Sequence, residues 1–288
     1  MKTQTCQMSL TKRATAPGQD LRCEAVALRW LAEAEPQGGI HVARVRLASS
    51  DELVEEAILP GSPSREGARA MGAALARTHA AAAPWWGCPP PAWPKAAAGY
   101  VIDGSLTPVI PSAKLAPSSW GPFFATWRLE AYLRPLVDGG TIDSGQRTLL
   151  ERVVSRVADG AFDAEEPALV ERAISSSTPD APVACARLHG DLWAGNVLWD
   201  GSAQAQTGGA LIDPMAHGGH AESDLAMLAL FGYPYLDDVI AAYDELSPLA
   251  DGWHERVGLH QLAPLLLHCV LFGGAYVAQT LGVARRYA

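Results

Sequence analysis

The apolar positions of the chain change period near residue 60. Before it, Leu21, Ala25, Leu28 and Ala32 recur at helical spacing and predict an amphipathic helix over residues 21–34, with Glu24 beside the apolar stripe. Residues 42–47 and 53–58 alternate instead, around Ala48-Ser49-Ser50-Asp51, which predicts a β-hairpin. Pro60-Gly61-Ser62-Pro63 then breaks the chain. After the break the period is mostly helical. Met71, Leu75 and Ala82 make one face of a helix over 65–82, and Trp120, Phe124, Trp127 and Ala131 stripe another. Further helices are predicted over 146–158, 167–176, 236–246 and 253–281, the last kinked by Pro264. Residues 84–94 are a proline-rich loop expected to be held by the packing of Trp85, Trp86 and Trp93. Only 183–188, 197–199 and 210–212 are β-prone here, with turns at Asp200-Gly201 and Gly208-Gly209. The whole predicts an α+β chain with a small β-rich lobe over 1–59 and a larger, mainly helical one over 60–288.

The second and third of those short strands are framed by chemistry. His189-Gly190-Asp191-Leu192-Trp193-Ala194-Gly195-Asn196 precedes one, and Ile212-Asp213-Pro214 follows the other, with Asp213 seventeen residues after Asn196. That order suits phosphoryl transfer. In protein kinases a catalytic-loop Asp takes the proton of the acceptor hydroxyl, an Asn five residues on holds Mg²⁺, and a later Asp holds the metal that bridges the phosphates. Asp191, Asn196 and Asp213 fit these roles, as catalytic base and two metal ligands, with ATP and Mg²⁺ as the implied cofactors. An Asp or Asn in a turn also caps backbone groups, a reading equally open for Asp191 alone but not favoured for the ordered set with His189 and two glycines.

The run Gly219-His220-Ala221-Glu222-Ser223-Asp224-Leu225-Ala226-Met227-Leu228-Ala229-Leu230-Phe231-Gly232 completes a triple pattern of HGDLWxGN, Asp-Pro and GHxExDLAMxxLFG. On these residues the chain resembles the fructosamine kinase family, the ketosamine 3-kinases. That family belongs to the aminoglycoside phosphotransferase branch of the protein-kinase-like fold. Weaker matches at 75–79, 120–129 and Leu267-His268 extend the resemblance over roughly residues 10 to 275. It implies ATP-dependent phosphorylation of the sugar 3-hydroxyl of ketosamines, free or protein-bound, and hence a deglycation repair activity. It also places Lys12 on the α and β phosphates with Glu24 as ion-pair partner, and Glu56 at a hinge that holds adenine through backbone groups. Trp193 would flank the sugar and His268 the acceptor, while His189 and Asp224 would support the catalytic loop. Plainer readings stand beside these: a core indole for Trp193, a satisfied buried histidine for His268, an N-cap for Asp224, solvated or loop-bracing roles for His220 and Glu222. Where the family commonly has an Asn beside this His, the chain has Leu267 and Val270, so another hydroxyl acceptor such as an aminoglycoside is the alternative.

Only eleven residues precede Lys12, too few for the two strands and turn of a phosphate-covering hairpin. The small lobe is therefore expected to lack that hairpin. A start assigned too late, a lobe that works without the flap, and a catalytically silent binding protein all fit. No G-x-x-x-x-G-K-[ST] occurs, which excludes a P-loop NTPase.

A net charge of −9 argues against nucleic acid or an anionic membrane as partner, and it suits a cationic acceptor such as a lysine adduct. Cys6, Cys23, Cys88, Cys185 and Cys269 are scattered without a C-x-x-C pair, as in reduced cytoplasmic proteins, and the histidines have no zinc-site spacing. The apolar run 262–278 is short for a membrane span and carries a Pro, a His and two Gly, which predicts a buried helix.

Overall fold

The computed structural model describes residues 9–202 and 206–288. The expected absence of a hairpin ahead of Lys12 falls largely on residues 1–8, outside the described ones, as does Cys6. Strand β1 (Ser9–Arg13) leads to helix α1 (Leu21–Ala32), which starts on the Asp20 side chain accepting from the Arg22 N–H. Leu21, Ala25 and Leu28 are buried as the periodicity requires. Next come β2 (His41–Val42), β3 (Val45–Ala48) and β4 (Glu52–Glu56).

The 42–47 strand is thus split. Residues 45–48 form the expected hairpin with β4, whereas His41 and Val42 pair in parallel with Ala210 and Leu211, far along the chain. The alternation was real, but Val42, its first residue, belongs to a different sheet. The order β1-β4-β3 is antiparallel throughout and sets Lys12 opposite Leu53. Glu55 lies two residues along β4 on that same face, within diagonal reach of Lys12.

Helix α2 (Arg65–Ala80) is capped by Ser64 and ends two residues short of the expected boundary, because Ala82 takes a positive φ of 61°. The proline-rich loop is held by packing, as expected: Trp86 is buried, and the Trp85 and Trp93 indole N–H groups donate to Ile110 and Ala97 carbonyls. A hairpin that the pattern did not predict follows, β5 (Gly99–Ile102) and β6 (Ser105–Pro108), closed by Asp103-Gly104 with both φ positive.

The Trp120 helix is longer and less regular than its stripe. It runs as α3 (Trp120–Phe124), a π-helical segment (Ala125–Glu130) and α4 (Ala131–Asp138). The wider π turn rotates the inward face, so Trp127 and Ala131 are only half-buried and Arg128, Leu129 and Tyr132 are buried instead. Helices α5 (Ser144–Ala158) and α6 (Ala168–Ser175) precede four short strands, β7 (Ala186–Leu188), β8 (Val197–Trp199), β9 (Gly209–Leu211) and β10 (His217–Gly219). Strand β9 is flanked by β2 and β8, while β7 pairs with β10.

Helices α7 (Glu222–Leu230), α8 (Leu236–Leu246), α9 (Trp253–Phe272) and α10 (Val277–Ala284) complete the chain. Helix α9 continues through Pro264, and the interruption expected there falls at a 3₁₀ turn over Gly273–Tyr276, where Gly273 has φ 71°. By length and composition the stretch Trp253–Ala284 is apolar enough to cross a membrane. Its Leu259, Leu262, Leu266 and Leu281 lie in the same apolar core as Leu28 and Met71, which is the burial the sequence predicts.

Candidate active site

The loop between β7 and β8 is fixed from below by one buried carboxylate. Asp224 Oδ2 accepts the His189 N–H at 2.7 Å and Oδ1 the Gly190 N–H at 2.9 Å, while His79 Nε2 sits 3.2 Å from Oδ2. Asp224 is the third residue of α7 and caps nothing on its own helix, so the loop-bracing expectation holds over the N-cap one. Burial alone would raise its carboxyl, but the His79 bond and the backbone donors outweigh that and hold it below the ordinary range. Gly190 is required here, with φ 82° and the Met215 carbonyl 2.2 Å from where a Cβ would stand.

His189 ties this loop to the next strand. Its Nδ1 accepts the Asp191 N–H at 3.2 Å and its Nε2 is 2.9 Å from the Ile212 carbonyl, a pairing that requires the neutral Nε2–H tautomer. Burial keeps that imidazole below its usual pKa. The Asp191 N–H and the carbonyl of Ile212, the residue before Asp213, are thereby bound at the two ends of one ring.

The Asp191 carboxyl is pushed up to about 7, chiefly by burial and only partly relieved by Asn196. Asn196 Nδ2 donates to Asp191 Oδ2 at 2.8 Å and to its carbonyl at 2.9 Å, which leaves the amide oxygen for a cation. Asp213, with φ 51°, meets Lys12 Nζ through Oδ1. Lys12 is also 2.6 Å from Glu24 and 2.9 Å from Glu55, so the expected Lys12–Glu24 pair is present and two further carboxylates join it. Glu55 was not foreseen. It is fully buried, and the diagonal register of β1 and β4 is the signal that could have found it. Three carboxylates around one ammonium leave an excess of negative charge, and Asn196 and Asp213 offer hard oxygen donors; this set fits Mg²⁺.

Two concavities meet at Asp191. One, of about 320 Å³, is a groove lined by Glu24, Tyr100, Asp191, Trp193, Asn196 and Asp213. The other is a narrower cavity of about 70 Å³, lined by Arg128, Tyr132, Asp191, His217, His268 and others. Trp193 is 39% exposed, its ring over Gly195 and edge-on to Phe231, so it is not a core indole. His268 Nδ1 lies 2.6 Å from the Pro264 carbonyl, with Phe231, Phe272 and Tyr276 around the ring; it is both satisfied and on the cavity wall. Glu56 lies apart from all of these. Its N–H bonds the Arg44 carbonyl and its side chain accepts the Arg44 N–H.

His220 and Glu222 are buried rather than solvated. Glu222 takes Arg256 at 2.5 and 2.9 Å and stands 3.3 Å from His260, joining α7 to α9, and His220 lies 3.7 Å from Glu166. Burial would raise the Glu222 carboxyl, but the His260 and Arg256 bonds bring it down to about 2. Its contribution to stability is then complete above the ordinary value of 4.5 and is lost as pH falls from there toward 2. Acid melting curves should show this as on the order of 3 kcal/mol. Glu222→Gln should lower Tm at pH 6 and flatten its fall between pH 5 and 3; an unaltered acid limb would remove Glu222 from the account.

A family model described as fructosamine kinase matches residues 18–287. The ketosamine-3-kinase of Mus musculus is 31% identical over 167 residues, 58% of this chain and 46% of that protein. The chain spans about half the length of the curated relatives it matches. The crystal structure of a candidate fructosamine-3-kinase from Thermobifida fusca has a TM-score of 0.77 at 37% identity, covering 98% of this chain and 85% of that one. An ADP-bound aminoglycoside phosphotransferase, 10% identical with a TM-score of 0.54 over 99% of this chain and 96% of its own, shares the fold alone. The α+β, protein-kinase-like fold is common to them.

Proposed function

The chain belongs to the fructosamine kinase family, and from that premise we propose that it transfers the γ-phosphoryl group of ATP to a sugar hydroxyl of a ketosamine. The observation that carries this reading is the position of Asp191 on both concavities, the groove with the metal-ligand candidates and the cavity with His268. A base so placed faces an acceptor hydroxyl on one side and the phosphates on the other, as in-line transfer needs. Its carboxyl near 7 suits a proton acceptor at neutral pH. Lys12, oriented by Glu24 and Glu55, binds phosphate oxygens once Asp213 turns to the metal, and Asn196 is the second metal ligand. Mg²⁺ held there supplies neutralisation of phosphate charge. Trp193 offers its exposed ring to the sugar, and Glu56 braces the strand end beside the adenine site. Freeing amines from sugar adducts in the cytoplasm is the role this implies.

The test is mass spectrometry of a ribulosyl-lysine peptide incubated with the protein and Mg-ATP. A phosphorylated adduct that needs both Mg²⁺ and ATP is expected. Phosphate appearing on an aminoglycoside but never on the peptide would reassign the acceptor. For the nucleotide, Mg-ATP should raise Tm of the wild-type chain and leave Asp213→Ala unshifted. A silent binding protein would show neither transfer nor any shift.

A further inference from the structure

Arg128 is a buried cation with a spare donor. Its guanidinium is carried inward by the π-helical segment, stands 4.9 Å over the Phe123 ring, and donates through Nη1 to the Pro108 and Trp127 carbonyls at 3.0 and 2.7 Å. Nη2 is buried and has no hydrogen-bond partner, and among the described residues no carboxylate lies within ion-pair distance of Arg128. Burying a guanidinium without a counter-ion is costly, and here burial lowers its pKa. The group lines the cavity that also holds Asp191.

The rest of that wall leaves the charge uncompensated. His217 is driven down to about 3, by burial first and by Arg128 second, so it is neutral. Tyr132 and Thr107 spend their hydroxyls on each other at 2.7 Å. Asp224 is occupied by His79 and two backbone N–H groups. Asp191 is the base. What remains is a cation in the wall of a space of about 70 Å³, enough for a few waters or one compact group and too little for a whole sugar adduct. Buried unsatisfied donors and π-helical turns both concentrate at functional sites.

We infer that Arg128 Nη2 selects an acceptor bearing a compact oxyanion, a carboxylate on its amine part or a phosphate on its sugar, bound in this cavity while its hydroxyl meets Asp191. The inference rests on the ketosamine kinase reading for the hydroxyl and on Arg128 alone for the anion. The chain's net negative charge, which suits a cationic acceptor, thus conceals a local preference of opposite sign. Arg128 would be the specificity-determining residue and the π turn the means of presenting it.

Binding and transfer test the two parts separately. Calorimetry without ATP would compare ribulosyl-propylamine, ribulosyl-glycine and ribulosyl-propylamine 5-phosphate, in the wild type and in Arg128→Lys and Arg128→Met. The wild type should bind one of the anionic compounds at least about tenfold more tightly than the neutral one. The glycine and phosphate arms say which oxyanion it is. Arg128→Met should erase the preference, and Arg128→Lys should keep part of it. Equal wild-type affinity for all three overturns the inference with no variant needed. So does an equal loss on all three in Arg128→Lys, which would mark Arg128 as a packing residue. Transfer is then read on the same compounds: selective binding without phosphate transfer overturns the kinase reading and leaves Arg128 standing.

Discussion

Asp191→Asn is expected to lower the proposed phosphoryl transfer about a thousandfold, the scale of removing a positioned general base, and at the same time to make the protein more stable at pH 8. The two effects share a cause. Burial raises the Asp191 carboxyl to about 7, so the folded chain holds a charge it solvates poorly. For an acid shifted upward, the penalty is absent below the ordinary value of 3.8, grows as pH rises, and is complete above about 7. Asparagine keeps the oxygen that accepts from Asn196 Nδ2 and carries no charge. A gain on the order of 4 kcal/mol at pH 8, vanishing by pH 4, is expected from melting curves. Turnover and stability moving in opposite directions would separate a catalytic carboxylate from a structural one. A variant that melts lower at pH 8, or one that retains turnover, would sink the assignment.

How much of this was legible depended on how local each feature is. Residues 189–196 carry their geometry in their own sequence: Gly190 supplies the positive φ, Gly195 the floor under Trp193, and Asp191 and Asn196 meet across a five-residue loop. Asp224 was legible as a brace because its motif is contiguous. Glu55 was not, since nothing in the alternation of β4 says which neighbour its face meets until the β1 register is known. Arg128 was hidden for a different reason. A regular 3.6-residue period puts Trp127 and Ala131 inside, and only the π segment turns Arg128 there in their place. The β2–β9 pairing joins residues 41–42 to 210–211, beyond any local pattern, and it cut short a strand predicted on sound alternation. The Asp103-Gly104 turn, by contrast, is an ordinary two-residue hairpin signal that stood in the chain unread.

Asp224→Ala should cost about 3–5 kcal/mol, the scale of breaking a buried, hydrogen-bonded charge by removing one partner. Three donors depend on this carboxylate, and they come from two parts of the site. His79 comes from α2, where it also meets Tyr243 of α8 at 2.9 Å, and the His189 and Gly190 N–H groups open the loop between β7 and β8. With alanine, all three are left buried with no acceptor, and the His189 ring loses the anchored backbone that aims it at Ile212. A fall in Tm of roughly 5–8 °C follows from the energy. Asp224→Asn, which keeps one oxygen and the shape, should melt between the two. The reading specific to a loop brace is hydrogen exchange: the His189 and Gly190 amides should lose protection in Asp224→Asn while those of α9 keep theirs. If exchange rose evenly through the molecule, Asp224 would be an ordinary core residue, and the link from α7 to the catalytic loop would carry no special weight.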